Sequence, residues 1–165
     1  MSDVQARISE IRKEGFYKDG RVKPELFGDV ASDLGQAFAM PTRGKGSGNK
    51  SPCVSSNQLR GFYGEVKALE IKLQEMSLVQ FSAQATGESG IAEEVFRRNE
   101  YLVRMIAPKV AYIQGKQTGG NVSREFREFI ETSLAQVHTA RDFMVFMRLF
   151  ESVVGFFYGF GGGKN

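Results

Sequence analysis

Two cations seven residues apart, Arg60 and Lys67, have the spacing needed to bind phosphate groups of one nucleic-acid strand. In a helix such residues lie on one side, roughly 10 Å apart along the axis. The sector of the helical wheel that holds them contains no carboxylate, and Glu70 and Glu75 lie only at its edges. Guanidinium binds phosphate as a fork and ammonium as a point charge. The alternative interpretation is a solvated outer face of a bundle helix, which needs no ligand.

Basic residues are unevenly distributed in a chain whose net charge is only +3. Every charge between Gly35 and Gly64 is positive, and Glu100 is the single acid between Arg97 and Arg124. This segregation of charge indicates a polyanionic partner.

Residues suited to catalysis or metal binding are few. Cys53 and His138 are the only cysteine and the only histidine, so the sequence predicts no metal site and no internal disulfide. The glycine-containing stretch 44–48 lacks the Gly-Lys-Ser/Thr ending of a phosphate-binding loop. No nucleophile has a credible base beside it. We therefore expect a protein that is not an enzyme and that uses no cofactor.

The spacing of apolar residues predicts helices and no convincing strand. The predicted helices lie near residues 3–13, 24–38, 56–76, 91–106 with a short restart at 108–114, 122–139 and 142–158. This pattern favours an all-α fold, an antiparallel helical bundle of five to six helices in a single domain over 1–165. Within it we expect a mobile basic linker at 41–55 and a flexible tail at 159–165, because both are rich in glycine.

The helix that carries both cations is predicted to begin at a capping box. Ser55 and Gln58 have the required spacing, in which each side chain bonds the other's backbone N–H. Gly61 and Gly64 are unexpected farther along, because each costs about 1 kcal/mol relative to alanine in a helix interior. Tight packing against a neighbouring helix and close approach of a sugar-phosphate backbone are the two explanations.

The last predicted helix is apolar over more than one face. A central position in the bundle would bury this surface, and so would a partner subunit or a second copy of the chain. The residues predicted for such an interface are Phe146, Met147, Val154, Phe156, Phe157 and Phe160. The same aromatic end raises the alternative of a helix lying on a membrane surface, but it lacks the lysine-rich polar face of such helices. With no membrane-spanning run and no signal peptide, a cytoplasmic protein is expected.

Three segments in series resemble the small subunit of type III-A CRISPR effector complexes, the Csm complexes. Residues 55–66, SSNQLRGFYGEV, resemble the family's Ser/Thr-rich Gln-Ile/Leu-Arg-x-Phe-Tyr segment. Residues 108–116, PKVAYIQGK, are similar to its Pro-Lys-Leu-Ala-Tyr segment, which ends in glycine and a basic residue. Residues 143–158, FMVFMRLFESVVGFFY, are similar to its aromatic C-terminal helix. Gly61 and Gly64 stand where larger polar residues are usual in the family.

The resemblance implies a non-catalytic helical subunit, copies of which stack along the inner face of a ribonucleoprotein. Its implied partners are guide RNA, target RNA and the other Csm subunits, and base pairing rather than the protein would read the sequence. The expected phosphate contacts are Arg60, Lys67, Arg104, Lys109 and Lys116, with Arg43, Lys45 and Lys50 as a mobile supplement. The alternative is a helical protein-interaction module, an adaptor or homodimer, with no nucleic-acid role.

Overall fold

The computed structural model describes residues 3–39, 54–115 and 122–163 of the chain. Within these ranges the fold is all-α apart from one short hairpin, which confirms the predicted fold class. The helices are α1 (Asp3–Glu14), α2 (Asp29–Ala39), α3 (Ser56–Gln80), α4 (Ala83–Thr86), α5 (Glu93–Arg98), α6 (Glu100–Arg104), α7 (Ile106–Gly115), α8 (Arg124–Leu134) and α9 (Ala140–Gly159). The hairpin strands are β1 (Tyr17–Lys18) and β2 (Arg21–Val22), and 3-10 turns occupy Pro24–Leu26 and Gly87–Ser89.

The aromatic helix α9 lies at the centre of the bundle. It packs along α2 and also contacts α3 and α8. The predicted apolar seam of α9 is completely buried: Phe143, Phe146, Phe150, Val153 and Phe157. Phe150 joins three helices, because its ring centroid lies 5.7 Å from that of Phe62 on α3 and 6.1 Å from that of Phe126 on α8. Most of the wide apolar surface of α9 is therefore covered by the chain itself.

This burial narrows the predicted partner interface. Phe146, Met147 and Phe157 are at most 2% exposed and belong to the core, so a partner cannot reach them while the fold is intact. Val154, Phe156 and Phe160 are only partly buried and remain on the surface. After α9 the N–H of Gly162 donates to the carbonyl of Phe157 (2.8 Å), so the described part of the predicted tail turns back toward the helix.

The single helix predicted over 91–106 is wrong, because the two short helices α5 and α6 take its place, while α7 covers the predicted restart at 108–114. The first break is at Asn99, whose side-chain amide donates to the carbonyl of Val95 (2.8 Å). Asparagine competes in this way for backbone groups and so ends helices. Pro108 does not begin a new helix but lies in the first turn of α7. A proline is tolerated there, since the N–H that it lacks would have no partner within the helix.

The hairpin, which no sequence pattern predicted, is tied to the first turn of α9. Asp142 forms a capping box with Thr139, and its Oδ2 also accepts the backbone N–H of His138 (2.9 Å). The other oxygen accepts the hydroxyl of Tyr17 on β1 (2.6 Å). Burial, followed by this hydrogen bond, raises the pKa of Tyr17. The arrangement fixes the start of α9 and hence the position of the core helix.

Candidate nucleic-acid interface

The two segments that carry the predicted phosphate contacts meet at a groove between α3 and α7. The groove has a volume of about 510 Å³. Its lining residues are Gln58, Gly61, Phe62, Glu65, Met105, Pro108, Lys109, Tyr112 and Ile113. Residues 58–65 and 105–113, which are distant in sequence, therefore form the two walls of one groove. Sequence analysis predicted both segments but not that they face one groove.

Of the predicted cations that the structure describes, Arg60 on α3 and Lys109 on α7 are exposed to solvent, and Lys109 lines the groove. Arg60 is exposed on α3, outside the groove lining, and makes no ion pair with another described residue. The ammonium of Lys109 lies 3.4 Å from the carboxylate of Glu65, and both side chains are at least half exposed. Exposed ion pairs of this kind contribute at most about 1 kcal/mol to the free energy of unfolding. Lys109 can therefore exchange Glu65 for a phosphate at little cost.

Lys67 pairs with a carboxylate of its own helix, so the predicted phosphate contact would compete with this ion pair. Its ammonium lies 2.5 Å from Oε1 of Glu70, and Glu70 is only 6% exposed. The hydrogen bond to Glu70 raises the pKa of Lys67. A buried carboxylate needs a counter-ion, since transfer of an unpaired charge from water is expensive. Lys67 therefore neutralises Glu70, the carboxylate that the helical wheel placed at the edge of this sector of α3.

Arg104, another predicted phosphate contact, forms hydrogen bonds within the fold. Its guanidinium donates to the carbonyl of Leu134 (2.9 Å) and to that of Val137, and it pairs with Glu100 (2.8 Å). These carbonyls lie at and just beyond the end of α8, where a helix leaves acceptors unsatisfied. Arg104 thus joins α6 to the end of α8 and has few donors left for a ligand.

Four predicted contacts lie outside the described residues: Arg43, Lys45, Lys50 and Lys116. The structure describes Val54 and Val122, the first residues after the two stretches that contain these cations. Val54 and Val122 form an antiparallel bridge, and the N–H of Val54 donates to the carbonyl of Phe38 (2.9 Å). The chain therefore re-enters the bundle from both stretches at one place.

The start of α3 is organised differently from the prediction. Ser55 is the N-cap residue, but its side chain accepts no capping hydrogen bond, so the predicted box with Gln58 does not form. Gln58 lines the groove instead. A methyl group placed on Gly61 or Gly64 would meet no described atom within 4 Å. Tight helix packing therefore does not explain these glycines, and α3 has an open face beside the groove.

Lys72 is a cation that the sequence analysis did not select. The exposed residues Arg60, Gly64, Ala68 and Lys72 follow one another at four-residue steps on α3. Twelve residues of helix place Lys72 about 18 Å from Arg60 along the axis. It is exposed and pairs with no other described residue. The four-residue spacing from Arg60, rather than the seven-residue spacing to Lys67, is the signal that would have found it.

We compared the chain with known protein families, and the match includes the segments that line the groove. The sequence profile described as Csm2 Type III-A matches residues 29–162, which include every helix from α2 to α9. The chain belongs to this family. Csm2 proteins are non-catalytic small subunits, and the chain is accordingly a small subunit of a type III-A CRISPR complex with other Csm subunits as partners. This confirms the family indicated by the sequence segments. No match to a curated protein or to a solved structure was found.

The Csm2 match covers both walls of the groove, whereas α1 and the hairpin lie before its first residue. None of the helices in the described ranges has the length and apolar character to cross a membrane.

Proposed function

We propose that this subunit binds RNA phosphates through the open face of α3 and the adjoining wall of α7, beside the guide RNA and target RNA of the complex. The observation that supports this most directly is the exposure of Lys109 in a groove whose walls come from the two family-like segments, together with the exposure of Arg60 elsewhere on α3. Recognition is by backbone and shape, since base pairing supplies the sequence. The role needs no catalytic group and places the protein in the cytoplasm.

The number of phosphate contacts sets how binding depends on salt. Arg60 and Lys72 on α3 and Lys109 on α7 are exposed cations, so they can neutralise at most about three phosphates. Each phosphate that a protein neutralises on a single strand contributes about 0.7 to the slope of log affinity against log salt concentration. Binding by this surface should therefore weaken steeply but not completely between low and physiological salt.

Removing the two exposed cations Arg60 and Lys109 tests the proposal. We expect Arg60→Gln combined with Lys109→Gln to lower RNA affinity about tenfold at low salt and to reduce the salt slope by about 1.4. Fluorescence anisotropy with labelled RNA and the full chain measures both quantities. The matched control is Arg97→Gln with Arg98→Gln, which removes two exposed guanidiniums that both pair with Glu94.

Equal losses in the two double variants would show that binding follows net charge rather than this surface. A full chain that does not bind RNA at low salt would refute the proposed function. Recovery of guide RNA with the tagged protein from cells would support its place in the assembly.

Part of α9 is the proposed contact with a neighbouring subunit, including a second copy of this chain. Val154, Phe156 and Phe160 are partly exposed, and the rings of Phe156 and Phe160 stack with centroids 6.3 Å apart. An aromatic pair left at the surface is typical of interface cores. We expect hydroxyl-radical labelling of these three side chains to fall when the complex assembles. Unchanged labelling would contradict this placement.

A further inference from the structure

We infer that the outer face of α3 pairs with the same face of a second copy of this chain, with the two helices antiparallel. The outer face is the row of exposed residues opposite the buried side of α3: Arg60, Gly64, Ala68, Ile71, Glu75 and Leu78. A contact between identical faces is isologous and closes as a two-fold dimer. It therefore differs from the contact proposed for α9, and it goes beyond the proposed binding of RNA.

The outer face of α3 carries apolar side chains that the described part of the chain leaves in water. Ile71 is 45% exposed and Leu78 is 69% exposed, although both lie within a helix of 25 residues. The buried side of the same helix packs toward α5, α7 and α9. Large apolar side chains that recur along one exposed helix face mark a surface that binds another protein.

Small and large residues occupy different halves of this face. In the first half Gly64 and Ala68 are exposed, and a methyl group on Gly64 would meet no described atom within 4 Å. The large apolar residues Ile71 and Leu78 lie in the second half. An antiparallel second copy brings the two different halves together, so Ile71 of each copy packs over Gly64 of the other. A parallel copy in register would place Ile71 against Ile71 and leave both glycines uncovered.

The same register also pairs opposite charges. Arg60 lies four residues before Gly64, and Glu75 lies four residues after Ile71. Placing Ile71 against Gly64 of the second copy therefore places Glu75 against its Arg60, and the two-fold axis repeats this pair. Both charged side chains are exposed, and neither makes an ion pair with another described residue. Shape and charge thus select one register independently.

A second copy accounts for this face better than RNA does. RNA would neutralise Arg60 but would repel Glu75 and leave Ile71 in water. Lys67 lies close to the two-fold axis, but its ion pair with Glu70 limits repulsion between the two copies. Arg60 cannot bind a phosphate and Glu75 of a second copy at once. Self-pairing is therefore a state of the free chain that RNA would displace at this residue.

The size of the contact indicates a weak dimer. Stable protein interfaces bury about 1,200–2,000 Å² in total, and a contact through one face of one helix falls near or below the lower end of this range. We expect a dissociation constant of about 10–500 μM. At the nanomolar concentrations suited to measuring RNA affinity, the chain is then monomeric and its α3 face is open.

Charge reversal tests the antiparallel register. Sedimentation equilibrium of the full chain without RNA should show a monomer–dimer equilibrium. Arg60→Glu alone and Glu75→Arg alone should each raise the dissociation constant at least about tenfold, because like charges then face each other twice. An equimolar mixture of these two variants should associate again, since every facing pair in the mixed dimer has opposite charges.

Filling the space over Gly64 tests the close approach of the two helices. Gly64→Leu should raise the dissociation constant at least about tenfold, because Ile71 of the second copy loses its place. Gly155→Leu is the matched control, since it adds the same bulk at an exposed glycine of α9 where a methyl group also meets no described atom within 4 Å. Arg124→Glu reverses an exposed charge on α8 and should leave association unchanged. Circular dichroism checks that each variant is folded.

Three results would overturn the inference. The first is a natural chain that stays monomeric up to about 1 mM. The second is a mixture of Arg60→Glu and Glu75→Arg that associates no better than either variant alone. The third is loss of association in Gly155→Leu but not in Gly64→Leu, which would place the dimer contact on α9. No RNA is present in these measurements, so their failure would leave the proposed RNA binding to its own test.

Discussion

Replacing Gly35 with alanine should lower the free energy of unfolding by about 2 kcal/mol. Gly35 lies on α2 where that helix packs along α9. A methyl group there would lie 2.6 Å from Cβ of Phe156, 2.8 Å from the carbonyl oxygen of Val153 and 2.9 Å from the backbone nitrogen of Phe157. The last two atoms are backbone and cannot rotate away. The variant must therefore separate α2 from α9, at the position where α9 forms the core.

The size of this effect is a difference between two opposing contributions. Overpacking of a close-packed core costs about 1–3 kcal/mol, and backbone atoms place this site at the upper end. Alanine recovers about 1 kcal/mol through its higher helix propensity. For a chain of 165 residues, the expected net loss corresponds to a fall in Tm of about 4–8 °C. Urea unfolding followed by circular dichroism measures it directly.

The same substitution at Gly64 should act in the opposite direction. Gly64 is in a helix interior like Gly35, but a methyl group there meets no described atom within 4 Å. Only the propensity gain remains, so Gly64→Ala should raise the free energy of unfolding by about 0.5–1 kcal/mol. If both variants moved stability in one direction, the packing of α2 against α9 would not be the cause.

The fold class was predictable because its signal is repeated along the chain. The apolar residues at helical spacing in these two predicted helices are all buried: Phe126, Phe129, Ile130, Leu134 and Val137 at 122–139, and Phe143, Phe146, Phe150, Val153 and Phe157 at 142–158. Interruptions were not predictable, because they depend on single residues. Asn99 could continue a helix or end one. In the structure its side chain donates a hydrogen bond to the carbonyl of Val95, and the helix ends there. The cap at Thr139 and Asp142 was missed, whereas the one predicted at Ser55 does not form.

The candidate site was predictable as a set of segments but not as a set of free charges. A cation's availability depends on its neighbours in three dimensions. Arg104 is occupied by carbonyls of Leu134 and Val137, about thirty positions away in the chain. No spacing of residues along the sequence predicts such a contact. The groove could not be predicted from the sequence either, since it forms only when α7 packs beside α3.

Charge reversal at Lys67 should destabilise the fold by about 3 kcal/mol. Glu70 is buried and its carboxylate bonds the ammonium of Lys67. Removing one partner of a buried pair costs about 3–5 kcal/mol. The Lys67 side chain is 38% exposed, so water moderates the loss, while a second carboxylate in Lys67→Glu adds repulsion. Nearby Glu151 also faces Lys67 electrostatically and would repel the new acid.

Two further variants separate the ion pair from general effects of charge. Lys72→Glu makes the same change at an exposed residue of α3 with no described partner, and it should change stability by less than about 0.5 kcal/mol. Adding Glu70→Gln to Lys67→Glu removes the buried carboxylate and should restore most of the lost stability. Urea unfolding of the three variants and the natural chain gives the comparison.

The result also decides how RNA binding by Lys67 variants is interpreted. A variant that unfolds loses every surface, so weaker RNA binding by Lys67→Glu would say nothing about a phosphate contact. Arg60 and Lys109 have no buried carboxylate to leave unpaired, and their variants should keep native stability. Stability of Lys67→Glu equal to that of Lys72→Glu would mean that Glu70 does not need its partner. Lys67 would then be free to leave Glu70 and return to the set of candidate phosphate contacts.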